Sequence, residues 1–278
     1  MRKLIINADD FGASSEINDA VIVSHTRGIV TSASLLITGK ASSEAVSLAK
    51  NHPSLDIGLH LNLTDGRPIT RSENIKTLID KDGKFLGYDK FTRQIWKFKI
   101  KPSHIAIEVE NQIKRFLSYG LVPSHLDSHC FITNIPQIFW IVYRLANKYN
   151  IKCIRGTFNL YIGENGHKYS IKKKNFMEVS KFAYKTILNT LLKINFMTTD
   201  YILSFRHYFS KKKSEFIRKK ALDILRYLPD GVSEIICHPG VTGERKQELD
   251  FLIDPKTKKL IIQEQIKLIS WAYFLKQK

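Results

Sequence analysis

Four short clusters in this chain of 278 residues hold residue types that can do hydrolytic chemistry. The first, Asn7-Ala8-Asp9-Asp10-Phe11-Gly12, follows the apolar run Leu4-Ile5-Ile6. Two adjacent carboxylates at the C-terminal end of a strand suit a metal ligand beside a general base, one fixed by the ion and the other left to move a proton. An ordinary turn needs only one Asp; a second Asp, with Asn7 before the pair and Gly12 after it, favours function. The second cluster is Gly58-Leu59-His60-Leu61-Asn62-Leu63. A lone histidine in an apolar strand more often reads as a hydrogen-bonded core residue, and Thr64-Asp65-Gly66 just after it adds weight to a ligand role. The third, His125-Leu126-Asp127-Ser128-His129, places His125, Asp127 and His129 on one face of a strand. Burying those three groups requires a partner, either a metal or a proton-relay network. The fourth, Ile235-Ile236-Cys237-His238-Pro239-Gly240, ends an apolar strand in a histidine whose titration near neutrality suits a proton donor.

Taken together the clusters specify a metal site. One carboxylate and two imidazoles leave open positions on a divalent ion, as a hydrolytic site requires. Nitrogen ligands favour Zn²⁺, and the carboxylate with added waters also admits Mg²⁺. Neither GxGxxG after the first strand nor GxxxxGK[ST] occurs, so nucleotide-binding folds lose ground.

The elements that must position these clusters alternate along the chain. Continuously apolar or β-branched runs predict buried parallel strands at Lys3–Ala8, Thr31–Ile37, Leu55–Leu61, Ser124–Ser128, Lys152–Phe158, Tyr201–Phe205 and Glu234–Cys237. Helices are expected from Ser14/Ser15 through His25, from Ser42 through Ala49, and over His104–Tyr119, Pro136–Tyr149 and Glu215–Tyr227. Strand–helix alternation over the whole length means an α/β fold. Polar clusters at several strand ends favour a barrel rim over an open sheet. No linker divides the chain, so residues 1–278 read as one domain, with 159–230 its least regular part.

Composition bounds the partners. There are 44 Lys and Arg against 26 Asp and Glu, a formal charge of +18. Between Lys168 and Leu228 stand fifteen basic and four acidic residues, interleaved with aromatics such as Phe176, Phe182 and Phe209. Solvated helix faces explain such a run most simply, a peripheral membrane contact comes next, and nucleic acid last, since no helix-turn-helix, zinc-finger or RNP pattern occurs. Cys130, Cys153 and Cys237 are odd in number and far apart, which points to free thiols in a reducing compartment. No stretch of 18 apolar residues occurs, and a cytoplasmic location is expected.

NADDFG at the start, GIVTSASLLITG at 28–39, GLHLNLTDGRPI at 58–69, PSHLDSH at 123–129 and ICHPG at 236–240 resemble the YdjC-like carbohydrate deacetylases. The likeness is close over 3–158 and 230–243 and loose elsewhere. It implies an irregular (β/α) TIM-like barrel, often dimeric, that removes acetyl groups from N-acetylated sugars with one divalent metal ion. It also implies Asp10, His60 and His129 as metal ligands, Asp9 as general base and His238 as acid. Arg155 is then expected to contact substrate, together with His125, Asp127 and Asn62. One departure stands out: Phe131 and Thr133 occupy positions where the family usually has histidines, which makes part of the pocket wall apolar and suggests a different substrate. The alternatives are a deacetylase of lipid-linked or surface-polysaccharide sugars at the cytoplasmic membrane face, and a silent sugar-binding protein.

Overall fold

The computed structural model describes residues 1–157, 161–162, 168–169, 176–205 and 221–277. Strand β1 (Arg2–Phe11) lies at the centre of a curled parallel sheet, buried over nearly its whole length because helices cover one face and the sheet's own curl encloses the other. On one side follow β2 (Ser32–Leu35), β3 (Asp56–Leu61) and β4 (Leu126–Ser128), each reached through helices that cross back over the sheet. These are α1 (Ser15–Thr26), α2 (Ser42–Asn51), then α3 (Tyr88–Trp96) and α4 (Pro102–Ser118) in succession; α5 (Pro136–Lys148) follows β4. Ser14 caps α1 by accepting the Ile17 N–H, and Pro102 and Pro136 occupy the first turns of α4 and α5, where a missing N–H costs nothing. The predicted stripe of α4, Ile105, Val109, Ile113 and Phe116, is fully buried.

Beyond α5 come a short antiparallel pair, β5 (Tyr161–Ile162) with β6 (Lys168–Tyr169), and the helix α6 (Phe176–Asn195). Residues 163–167, 170–175 and 206–220, with most of the predicted basic cluster and the start of the helix expected at Glu215, lie outside the described residues. Strand β7 (Tyr201–Ser204) then pairs with β8 (Gly231–Cys237), which returns to the other edge of β1. Helices α7 (Gly243–Ile253) and α8 (Pro255–Gln263), strand β9 (Lys267–Leu268) and helix α9 (Trp271–Leu275) complete the chain.

The expectation of a TIM-like barrel is met in its coarser form, a curled α/β sheet. Between β4 and β7 the sheet is joined by isolated bridges rather than ladders: Leu126 with Ile154, and Cys153 with Met197. The strand expected over Lys152–Phe158 is reduced to these contacts, and Phe158 is outside the described residues. Helix α6 presses close here: a Cβ on Gly156 would lie 2.7 Å from Asn189 Oδ1 and from Thr198 Oγ1.

Two cores result. The larger lies between sheet and helices and takes Leu4, Ile6 and Ala8 from β1. The smaller, Ile5, Cys153, Val232, Ile269 and Trp271, plugs the inside of the curl at the strands' N-terminal ends. Trp271 reaches it from α9, whose first N–H groups are taken by Ser32 Oγ and Asp56 Oδ2. All three cysteines are free, with Cys130 exposed and the other two buried. Among the described residues no helix is long and apolar enough to cross a membrane.

Candidate active site

The polar clusters meet inside the curl, stacked in layers above the Trp271 plug. In the lowest layer the His125 ring stacks on Trp271, with centroids 4.9 Å apart and planes at 15°. Its Nε2 lies 3.0 Å from Ser34 Oγ and its Nδ1 3.0 Å from Ser124 Oγ. Ser34 gives its hydroxyl proton to Asp127 Oδ2, so it accepts from His125 Nε2–H, and Nδ1 accepts from Ser124. Burial holds this imidazole neutral, pushed down to about 3. Gly58 is required beside it: a Cβ there would sit 2.3 Å from His125 Cε1.

The middle layer is a buried ion cluster centred on Arg155. The guanidinium grips Asp9 with two bonds, Nη1 to Oδ2 at 2.9 Å and Nη2 to Oδ1 at 2.7 Å. It also meets Asp127 Oδ2 at 2.5 Å, and donates from Nε to Glu234 Oε1 at 3.0 Å. Asn7 Nδ2 donates to Asp9 Oδ1 and to Ser34. Burial raises Glu234 and Arg155 pulls it back, leaving it up at about 7. Burial would also raise Asp127, but Arg155 and His60 outweigh it and hold that carboxyl well below the usual range.

The upper layer is the rim. Adjacent residues of a regular strand face opposite ways, yet Asp9 and Asp10 both serve the site. A register shift between Ala8 and Phe11 and a left-handed φ of 67° at Asp10 turn the second carboxylate back over the first. Asp is one of the few non-glycine residues that tolerate this conformation. Asp10 Oδ1 lies 3.0 Å from His129 Nδ1 and 3.6 Å from His60 Nε2. His60 Nδ1 is held by Asp127 at 2.9 Å, which aims Nε2 at Asp10. His129 Nε2 faces Asp65 Oδ2 at 3.3 Å. Burial would lower His129, but its hydrogen bonds to Asp10 and Asp65 push it up to about 12. Burial would likewise raise Asp10, and the bond from His129 with the nearby histidine charges holds it well below its ordinary value. Arg245, from α7, donates to Asp10 Oδ2.

Asp10, His60 and His129 thus offer donor atoms within 4.8 Å of one another, a group that could hold a metal ion. The chemistry of the set, one carboxylate oxygen and two imidazole nitrogens, fits a divalent cation. Cys130 and Phe131, just after His129, both adopt left-handed φ, near 55° and 53°. Such strain is retained where a loop must aim side chains.

His238 sits at the rim, partly exposed, with Nδ1 3.9 Å from Glu248 Oε1. Its backbone N–H donates to Glu248 Oε2 at 2.6 Å.

Four residues expected to contact substrate are placed otherwise. Arg155, His125 and Asp127 are buried and fully engaged beneath the rim, because a guanidinium or carboxylate in this interior must find its counter-charge there. Asn62 is buried too: its Oδ1 accepts from the N–H groups of Thr64 and Asp65, and its Nδ2 donates to Thr38 Oγ1. It shapes the loop that carries Asp65. Of the two departures, Thr133 is bonded to Ser128 through Oγ1 at 2.9 Å. It also lines a small cavity with Phe139, Val142, Ile154 and Leu192. Sequence reasoning missed Ser34, Glu234, Arg245 and Trp271. Glu234 alone carried a signal, an acid inside the apolar strand Val232–Cys237.

A curled parallel sheet with His and Asp donors gathered at its C-terminal rim defines the class, and the chain belongs to the YdjC-like protein family, whose pattern matches residues 3–263. It is 32% identical over 284 residues to a carbohydrate deacetylase of Clostridium beijerinckii, covering 97% of this chain and 98% of that one. To carbohydrate deacetylase 2 of Listeria innocua it is 33% identical over 282 residues, covering 97% of each. Among solved structures it is similar to a protein of Enterococcus faecalis V583 provisionally described as a cellobiose-phosphate cleavage protein, with TM-score 0.75, 26% identity and 97% of each chain covered.

Proposed function

We propose that this protein is a metal-dependent hydrolase that removes the acetyl group from an N-acetylated amino sugar. The observation that carries the reading is the Asp10–His60–His129 donor set beside Asp9, in a chain similar along nearly its whole length to proteins named carbohydrate deacetylases. A divalent ion held by those three residues, Zn²⁺ or Mg²⁺, would supply a Lewis acid for the acetyl carbonyl and acidity for the attacking water.

The chain's own groups do the rest. Asp9 accepts the proton of the attacking water; Arg155 and Asn7 fix its carboxylate through two bonds to Oδ1, and Oδ2, which accepts from Arg155 alone, keeps a lone pair for the task. Asp127 orients His60, and Arg155 holds the Asp127 and Asp9 carboxylates in place, so Asp127 and Arg155 are positioning residues. His238, backed by Glu248, donates a proton to the departing amine as the C–N bond breaks. Water and amide become acetate and a free amino sugar.

The test is release of free amine from N-acetylglucosamine oligosaccharides by protein stripped with a chelator and reloaded with Zn²⁺, Mg²⁺ or nothing. Turnover should appear only after reloading. Equal turnover with chelator present, or none from protein carrying a stoichiometric ion, would overturn the reading.

A further inference from the structure

We propose that the tip formed by the end of α3 and the turn into α4 docks the active-site face of this protein onto an anionic membrane surface. Trp96 is 58% exposed and Phe98 82% exposed at this tip. Phe98 also has a left-handed φ of 56°. Its N–H bonds to Ile95 O, and the next N–H, from Lys99, bonds to Gln94 O, each at 3.0 Å. That is the helix-ending motif whose left-handed position usually belongs to glycine. A phenylalanine there pays in backbone strain and again in exposed apolar surface, and neither choice helps the local fold.

Charge says what the rings meet. Residues 88–101 carry Lys90, Arg93, Lys97, Lys99 and Lys101 against Asp89 alone, all six exposed. None of the five cations is in an ion pair among the described residues. A second copy of the chain would set this patch against itself across a two-fold axis, where like charges repel. An anionic bilayer accepts both features, rings at the headgroup level and cations at the lipid phosphates.

The fold sets the direction. Helix α4 runs antiparallel to β3, because Gln112 exchanges hydrogen bonds with the backbone of Asn62, just past the C-terminal end of β3. Ser124, after α4, bonds to Ile57 near the start of β3. The ten residues from Gln112 back to Pro102 therefore rise about 15 Å beyond the strand ends. Trp96–Lys101 thus projects on the side where Asp10, His60 and His129 open.

Sedimentation with vesicles of phosphatidylglycerol and phosphatidylcholine, against pure phosphatidylcholine, tests this without any substrate, so its outcome is independent of the reaction. The full chain should bind the anionic vesicles and release at high salt. Trp96→Ser/Phe98→Gly should raise the lipid concentration for half-binding by roughly tenfold or more. Lys97→Glu/Lys99→Glu should do the same. Because glycine suits the left-handed position, Phe98→Gly alone should keep or raise the melting temperature while weakening binding. No binding to anionic vesicles, equal binding to neutral ones, or binding indifferent to these variants would overturn the proposal. So would salt-sensitive binding to RNA without binding to vesicles.

Discussion

Arg155→Met keeps most of the side chain's volume and removes the guanidinium that touches Asp9, Asp127 and Glu234. Removing one partner of a buried ion pair costs about 3–5 kcal/mol, because the remaining charge cannot be hydrated. Each kcal/mol lowers the melting temperature of a protein somewhat smaller than this one by roughly 2–4 °C. The variant should therefore melt some 6–20 °C below wild type at pH 8, with chelator in both samples. Glu234→Gln should cost far less, since its amide oxygen still accepts from Arg155 Nε. The pH dependence gives an independent check. Glu234 in the folded protein sits at about 7, above its unfolded value of 4.5. The folded state therefore holds an extra proton across that window, and stability declines as pH rises through it. Without Arg155 the upward push of burial and of the Asp127 and Asp9 charges is unopposed, and the window extends above 7. The gap between variant and wild type should narrow as pH falls from 8 to 5. Thermal unfolding followed by circular dichroism reads both effects. A variant melting within about 2 °C of wild type at pH 8 would show that Arg155 does not neutralise this cluster.

Gly58→Ala would drive a methyl group into the His125 ring and should cost about 1–3 kcal/mol in urea unfolding. Adding His125→Ala should cost less than the sum of the two single changes, because the clash is gone. His125 has a folded value of about 3 against 6.5 in the unfolded chain, so its contribution is full above pH 6.5 and is lost as pH falls toward 3. At pH 5 that loss is about 2 kcal/mol relative to pH 8, and His125→Gln should remove this component from a urea-unfolding pH series. Alanine at Asp10, His60 or His129 should abolish stoichiometric Zn²⁺ in elemental analysis and turnover with it. His238→Ala should retain the ion while losing roughly 10²–10⁴-fold in kcat; loss of bound metal in that variant would place His238 among the ligands instead.

What could be read from the chain alone was local. Strand alternation in His125–His129, the paired carboxylates after an apolar run and the His-Pro-Gly turn are patterns within a few residues. The apolar runs behind them predicted strands that the fold contains at β1, β2, β3, β4, β7 and β8. Periodicity also located α1, α2, α4 and α5, because burial of one helix face acts at a spacing of three or four residues.

Tertiary structure decided which of the marked residues meet the rim and which lie beneath it. Arg155 looked like a substrate contact, yet three carboxylates from β1, β4 and β8 converge on it. That convergence depends on sheet order, and no spacing within the chain encodes it. Trp271 reaches the floor under His125 from the far end of the chain, and Arg245 reaches Asp10 from a polar helix without any pattern to mark it. The left-handed turn at Asp10, which brings two neighbouring carboxylates to one site, is a property of a bulge set by β2. Residue type and spacing determined what chemistry was available, because they are covalent properties of the chain. The curl of the sheet determined where those groups meet, because only the folded interior makes a charge seek its partner across a hundred residues.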